Sequence, residues 1–197
     1  MRGTDEPHTG GRMTSLDPAD RPRPKPTVQV PPIEAVRELE DVYAPDDERP
    51  LTAFTGILAA YGATVGGLSL LVRATGRQLP ERMALGDVAA TAVATYRMAR
   101  VLAKSPVTSP LRAPFTRFRG VCGEAELEEE VRGTGWRKAM GELVSCPFCL
   151  GQWVVTGFGF GWIFAPRATR MAASMLSAAA VADALHYGHA ALERSKE

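Results

Sequence analysis

Hydrophobic and polar positions are distributed unevenly along the chain. The first 50 residues are polar and hold nine of the fifteen prolines, and most apolar runs follow Pro50. Residues 1–31, which include DRPRPKPTVQVP, have little apolar surface to bury and lose backbone donors at each proline, so a disordered Pro-rich tail is expected there. Residues 32–50 read differently. In PPIEAVRELEDVYA the residues Ile33, Val36, Leu39 and Val42 recur at helical spacing behind two prolines. This predicts a short amphipathic helix, suited to a membrane or protein surface, followed by a linker.

Beyond Pro50 the pattern changes to long apolar segments. Leu51–Val72 is 22 residues without a charge, bounded by Arg49 and Arg73. As a helix it would span about 33 Å, enough for a bilayer core. Gly62 and Gly66, and Ala63 and Gly67, stand four apart, a spacing that lets helix backbones approach closely in lipid. A second segment, 83–103, is interrupted by Asp87, Arg97 and Arg100, and reads as a polar transmembrane helix facing other helices. A third, Cys146–Ala165, is 20 uncharged residues with Trp153 and Trp162 near its ends and Gly157, Gly159 and Gly161 along it. A fourth, Met171–Leu192, is rich in alanine and serine, with Asp183 as its one formal charge. Few residues separate the last two, which predicts an antiparallel hairpin of helices. The expected fold is all-α: a polytopic helical membrane domain over 51–192 with about four spans.

The connection 104–145 is the longest. SPVTSPLRAPF reads as irregular, GEAELEEEVRG as an acidic helical patch, and GWRKAMGELV as a short helix leading into SCPFCLGQW. With four crossings, both termini and this loop share one side. Near the membrane that side carries eleven Lys and Arg residues, from Arg37 to Lys196, against five on the other (Arg73, Arg77, Arg82, Arg167, Arg170). The positive-inside rule then makes the termini and the loop cytoplasmic and the protein a multi-pass component of the cell membrane.

Charge and cysteine content narrow the function. Basic and acidic residues balance at 23 against 22, which removes the electrostatic case for nucleic acid as a partner. The expected partners are the lipid bilayer and a protein, including a second copy of the chain. MRGTDEPHTGGRMTSLD has no apolar core of a secretory signal, so none is expected. Three cysteines cannot all close into internal disulfides.

Cys146 and Cys149 flank Pro147, which belongs at the first helical position. Cys146 is then the N-cap and Cys149 the third helical residue. Free backbone amides and the positive helix end favour thiolates there, the basis of reactive Cys-X-X-Cys pairs. The absence of a thioredoxin-like βαβ pattern and the expected cytoplasmic location weigh against redox work. The metal alternative adds His186 and His189 of HYGH. The antiparallel arrangement puts them on the same membrane side, and two Cys with two His form a tetrahedral zinc set. Inert thiols at a helix end are the third reading. Asp87, Arg97, Arg100 and Asp183 are costly in lipid and need partners: Arg97 or Arg100 for Asp183, and Arg82 or Arg170 for Asp87.

GDVAATAVATYRMARVLAKSPVTSPLRAPF and VRGTGWRKAMGELVSCPFCLGQW together resemble a family of small bacterial and mycobacteriophage membrane proteins known as domain of unknown function 1360. The matching positions include Asp87, Arg97, Arg100, Thr108, Arg112, Glu142, Cys146, Pro147, Cys149 and Trp153. The resemblance implies a polytopic membrane protein and brings no activity with it. HYGH lies outside the matched pattern. With no nucleotide loop, Ser/His/Asp set or paired catalytic carboxylates, the expected role is structural or in protein interaction. A membrane thiol–disulfide oxidoreductase, a zinc-stabilised membrane protein and a soluble helical protein stand as rivals.

Overall fold

The computed structural model describes residues 33–44, 49–123 and 125–196. The tail over 1–31 lies outside them. The described residues are mostly helical, with helices α1 (Ile33–Tyr43), α2 (Leu51–Ala74), α3 (Leu85–Lys104), α4 (Ser109–Arg112), α5 (Gly135–Ser145), α6 (Pro147–Phe164) and α7 (Pro166–Arg194). A β-hairpin of β1 (Thr116–Gly123) and β2 (Glu126–Val131) stands between α4 and α5.

Three long helices make the centre. α3 packs against both α6 and α7, and its buried face is made of small residues, Thr91, Ala94, Ala99 and Ala103. Small side chains permit that close approach. Ala94, Phe158 and Ala173 form the core where the three helices meet. Cross-links fix the directions. Trp162 Nε1 donates to Thr91 Oγ1 at 3.2 Å, and Gly151 lies against Ala99, so α6 runs antiparallel to α3. Ser177 Oγ donates to the Ala90 carbonyl at 2.7 Å, and Asp87 and Arg97 pair with Arg170 and Asp183, so α7 runs parallel to α3. The tight turn between α6 and α7 rests on Gly161: a Cβ there would lie 2.7 Å from Thr169 Oγ1. Of the other glycines expected to pack closely, Gly62, Gly66, Gly67, Gly157 and Gly159 face open space.

α2 lies parallel to α6 and touches it at few points. The Tyr61 hydroxyl shares a hydrogen bond with Thr156 Oγ1 and accepts one from Gln152 Nε2, both at 2.8 Å, and the Tyr61 ring meets Trp153 edge-on at 5.1 Å. At one end Gly56 lets α2 pass Trp136 of α5; at the other Arg77 donates to the Phe164 carbonyl at 3.1 Å. Glu40 of α1 accepts from the Thr52 hydroxyl at 3.2 Å and the Thr52 amide at 3.4 Å, a carboxylate at the positive end of α2. Gly76, at φ 63°, takes the left-handed position that ends α2.

Among the described residues α2 alone is long and apolar enough to cross a membrane as a single helix; α5 and α6, bent by 74°, reach that standard as a pair. α3 misses it because of Asp87, Arg97 and Arg100, and α7 because Asp183, the serines and the polar residues at its two ends lower its hydropathy.

The acidic segment expected as a helix is strand β2. Glu, Ala and Leu favour helix intrinsically, yet tertiary context overrides such preferences. Leu127, Glu129 and Val131 alternate inward, Glu128 and Glu130 outward, and Glu130 stands opposite Arg117 of β1. Arg119 pairs with Glu130 across a bulge between Phe118 and Gly120. The hairpin seats on α5 where Gly141 lies against Val131 and the Phe115 carbonyl.

Candidate functional site: a charged cavity and a thiol pair at one end of the bundle

The last two turns of α3 place Arg97 and Arg100 on one face, three residues apart. α7 brings Asp183, His186 and Tyr187 beside them, and the hairpin tip brings Ala125 and Glu126. Together these enclose a cavity of about 420 Å³, completed by Tyr96, Val101, Ser105, Ala180 and Ala184. Both arginines are paired across it. Arg97 pairs with Asp183. Arg100 takes Glu126, with Nε donating to Oε1 at 2.9 Å, and its guanidinium lies 5.7 Å from the Tyr96 ring centre. None of these charged side chains is fully buried. Ala125 holds φ 59° at the hairpin tip, a left-handed conformation that costs about 1–2 kcal/mol for a residue with a Cβ.

At the other end of α3, Asp87 accepts two bonds from Arg170, at 3.0 and 2.8 Å, and the Arg170 guanidinium lies over Trp162 at 5.2 Å. This pair closes the end of the bundle.

The segment after α3 folds back over that helix's last turn. Thr108 Oγ1 donates to the Val101 carbonyl at 2.6 Å. Arg112, 1% exposed, donates to the Leu102 carbonyl at 2.7 Å, the Ser105 carbonyl at 3.0 Å and Glu129 Oε2 at 2.6 Å. One guanidinium thus satisfies orphan carbonyls at the end of a helix and a carboxylate on β2. Sequence reasoning left Arg112 without a role and missed Glu126 and Glu129. The signal was the inward alternation of 127, 129 and 131, hidden because one inward residue is acidic.

The thiols sit at the start of α6. Pro147 is its first residue and Cys146 its N-cap, with Sγ accepting from the Cys149 amide at 3.3 Å. The two Sγ atoms are 2.8 Å apart as free thiols, Cys149 is exposed, and Phe148 between them is 92% exposed. Cys122 is also free and exposed, on β1.

Among the described residues no three His, Cys, Asp or Glu gather as a metal site. His186 lines the charged cavity, and His189 Nε2 lies 3.2 Å from Glu193 Oε1. α6 and α7 meet closely at Gly161 and Thr169, while further along a groove of about 600 Å³ opens between them, walled by α3. The helices therefore diverge before the level of the cysteines. The thiol pair can offer two sulfur ligands or close to a disulfide; the cavity can hold a small polar group against charges of both signs.

Residues 91–189 match the family described as "Protein of unknown function (DUF1360)". The chain belongs to that family. The DUF1360 match takes in the cavity, the hairpin, Arg112, the thiols and, contrary to expectation, HYGH, and leaves out α1, α2 and Asp87. The chain is also similar to Sporulation protein YjcA of Bacillus subtilis (strain 168), 36% identical over 64 residues, which cover 31% of this chain and 54% of the relative. The chain spans about half the length of that curated relative. No solved structure matches.

Proposed function

We propose that this DUF1360 protein is a four-span integral membrane protein, α2, α3, α6 and α7 being the spans. Both termini and the 104–145 loop lie on the cytoplasmic side, and the role is structural or in interaction rather than catalysis. The observation that carries the reading is the state of α2. It is uncharged over 22 residues, yet Val72 is its single buried residue. A core helix of a soluble protein would be covered by its own chain; an apolar helix this long and this bare needs lipid or a partner around it. The helix directions support the even number of crossings: α2 and α6 run one way, α3 and α7 the other. α3 and α7 can cross despite their charges because Asp87, Arg97 and Asp183 are paired between them. The sporulation role named for the relative is not carried over, because the match covers 31% of this chain.

The test is extraction. Membranes from expressing cells, washed with alkaline carbonate, retain the protein in the pellet, and a mild detergent releases it folded. Recovery in the carbonate supernatant contradicts the reading.

The 2.8 Å approach of two free thiols favours a second reading, thiol–disulfide exchange. A thiolate of the pair would displace one sulfur of a client disulfide and form a mixed disulfide. The second thiol would then close the Cys146–Cys149 bond and release the client as a dithiol. A purified protein that fails to reduce a model protein disulfide rules this out.

A further inference from the structure

The charged cavity has three properties that belong together. Its lining carries two guanidiniums, two carboxylates and the His186 imidazole, and the guanidinium and carboxylate charges cancel. Each arginine is already neutralised, and an incoming anion alone or cation alone would strip one pair and leave a charge uncompensated. A ligand bearing both signs can exchange partners with both pairs at once. The second property is shape. Arg97 and Arg100 project from one helix face three residues apart, a spacing that lets two planar donors grip one phosphate. Asp183 and Glu126 face them from other elements, beside the Tyr96 and Tyr187 rings, which suit an ammonium. The third is the hairpin tip. Ala125 holds a left-handed backbone at the cavity wall and Glu126 is tied to Arg100. Strain of this kind persists where surrounding structure enforces it, commonly at binding sites.

We propose that this cavity binds a phosphate linked to a primary ammonium, with the phosphate on Arg97 and Arg100 and the ammonium on Asp183 and Glu126. Two sources have that chemistry: the headgroup of an ethanolamine phospholipid and free phosphoethanolamine. The lipid is the source that fits the proposed membrane placement, on which that half of the inference rests. Tyr96 and Tyr187, each half exposed or nearly so at the cavity, sit where an aromatic belt meets headgroups. The cavity chemistry itself stands without the membrane.

The experiment uses the full chain in detergent micelles doped with phosphatidylethanolamine, phosphatidylcholine or phosphatidylglycerol, and separately with soluble phosphoethanolamine. Thermal unfolding and native mass spectrometry are the readouts. Phosphatidylethanolamine is expected to raise the unfolding temperature and remain bound, ahead of phosphatidylcholine, whose ammonium has no N–H, and of the anionic phosphatidylglycerol. Arg100→Gln is expected to weaken binding about tenfold, the loss of one charge-assisted contact. Because that change also frees the hairpin tip, Ala184→Phe is the second variant. It fills the cavity from an exposed position and keeps all four charges, so it abolishes the lipid shift while the lipid-free protein unfolds as before. Equal shifts from all three lipids, or a shift that survives Ala184→Phe, overturn the proposal. Binding of soluble phosphoethanolamine with no lipid response supports the cavity chemistry and places the ligand in solution. That outcome in a carbonate-extractable protein sinks the membrane reading and leaves the cavity standing.

Discussion

The two ends of the α3–α7 interface use the same chemistry for different purposes. At the Asp87 end an arginine and a carboxylate meet in a two-bond clasp over Trp162. At the Asp183 end the arginine–carboxylate pair is joined by a second, Arg100–Glu126, and a cavity lies between them. The difference comes from the β-hairpin. It brings a carboxylate to the second arginine and leaves a wall where the first end has a lid. An ion pair between helices is therefore a staple or a lining according to what the next element along the chain contributes.

Removing the hairpin's anchor should erase the difference between the two ends. Arg112→Met leaves Glu129 and the end of α3 without their shared donor. The expected loss is about 3–5 kcal/mol, the cost of stranding a buried charge. Chemical unfolding in detergent measures it, and early proteolysis within 116–131 shows that the hairpin goes first. Next in size is Gly141→Ala. Its new Cβ would fall 2.5 Å from Val131 Cγ1 and 3.0 Å from the Phe115 carbonyl, so α5 and the hairpin must part. The expected cost is about 1–3 kcal/mol, and Val131→Ala in the same chain should return part of it. The smallest effect sharpens the comparison. Asp87→Asn and Asp183→Asn each remove one interhelical pair. Both pairs are partly exposed, so both losses should shrink at high salt, and only the loss at Asp183 should be accompanied by altered binding in the cavity. Unfolding temperatures with and without phosphatidylethanolamine separate the two.

Much of the helical frame is legible in the sequence because its signals are local. Pro147 announces the start of α6 and makes Cys146 the N-cap, and the uncharged stretch after Pro50 announces α2; α7 is legible from Met171, although it begins at Pro166. The partners of Asp183 narrow to Arg97 or Arg100 by the same logic, and in the structure Arg97 takes it while Arg100 turns to the hairpin. What stayed hidden depends on long-range contacts. GEAELEEEV carries strong helix formers, and only pairing with TRFRGVC, an inward Glu129 and the Arg112 beneath it make it a strand. The placement of the candidate zinc ligands depends on such contacts too. Spacing along a helix places His186 and His189 on the side of the cysteines, but the splay of α6 from α7 is set by the packing of α3 between them. Glycine spacing showed the same limit: Gly161 meets a neighbour, while Gly62 and Gly66 on the bare α2 do not.

Whether α2 crosses the bilayer is decided by which side each end of it faces. Cys122, Cys146 and Cys149 all belong to the side assigned to the cytoplasm, and Gly76, in the turn between α2 and α3, belongs to the other. A membrane-impermeant maleimide is applied to right-side-out and inverted vesicles. One sample carries the native thiols, the other a cysteine-free chain bearing Gly76→Cys. The native thiols are expected to label only in inverted vesicles and Gly76→Cys only in right-side-out ones. Labelling of both from the same side would contradict a chain whose α2 crosses the bilayer.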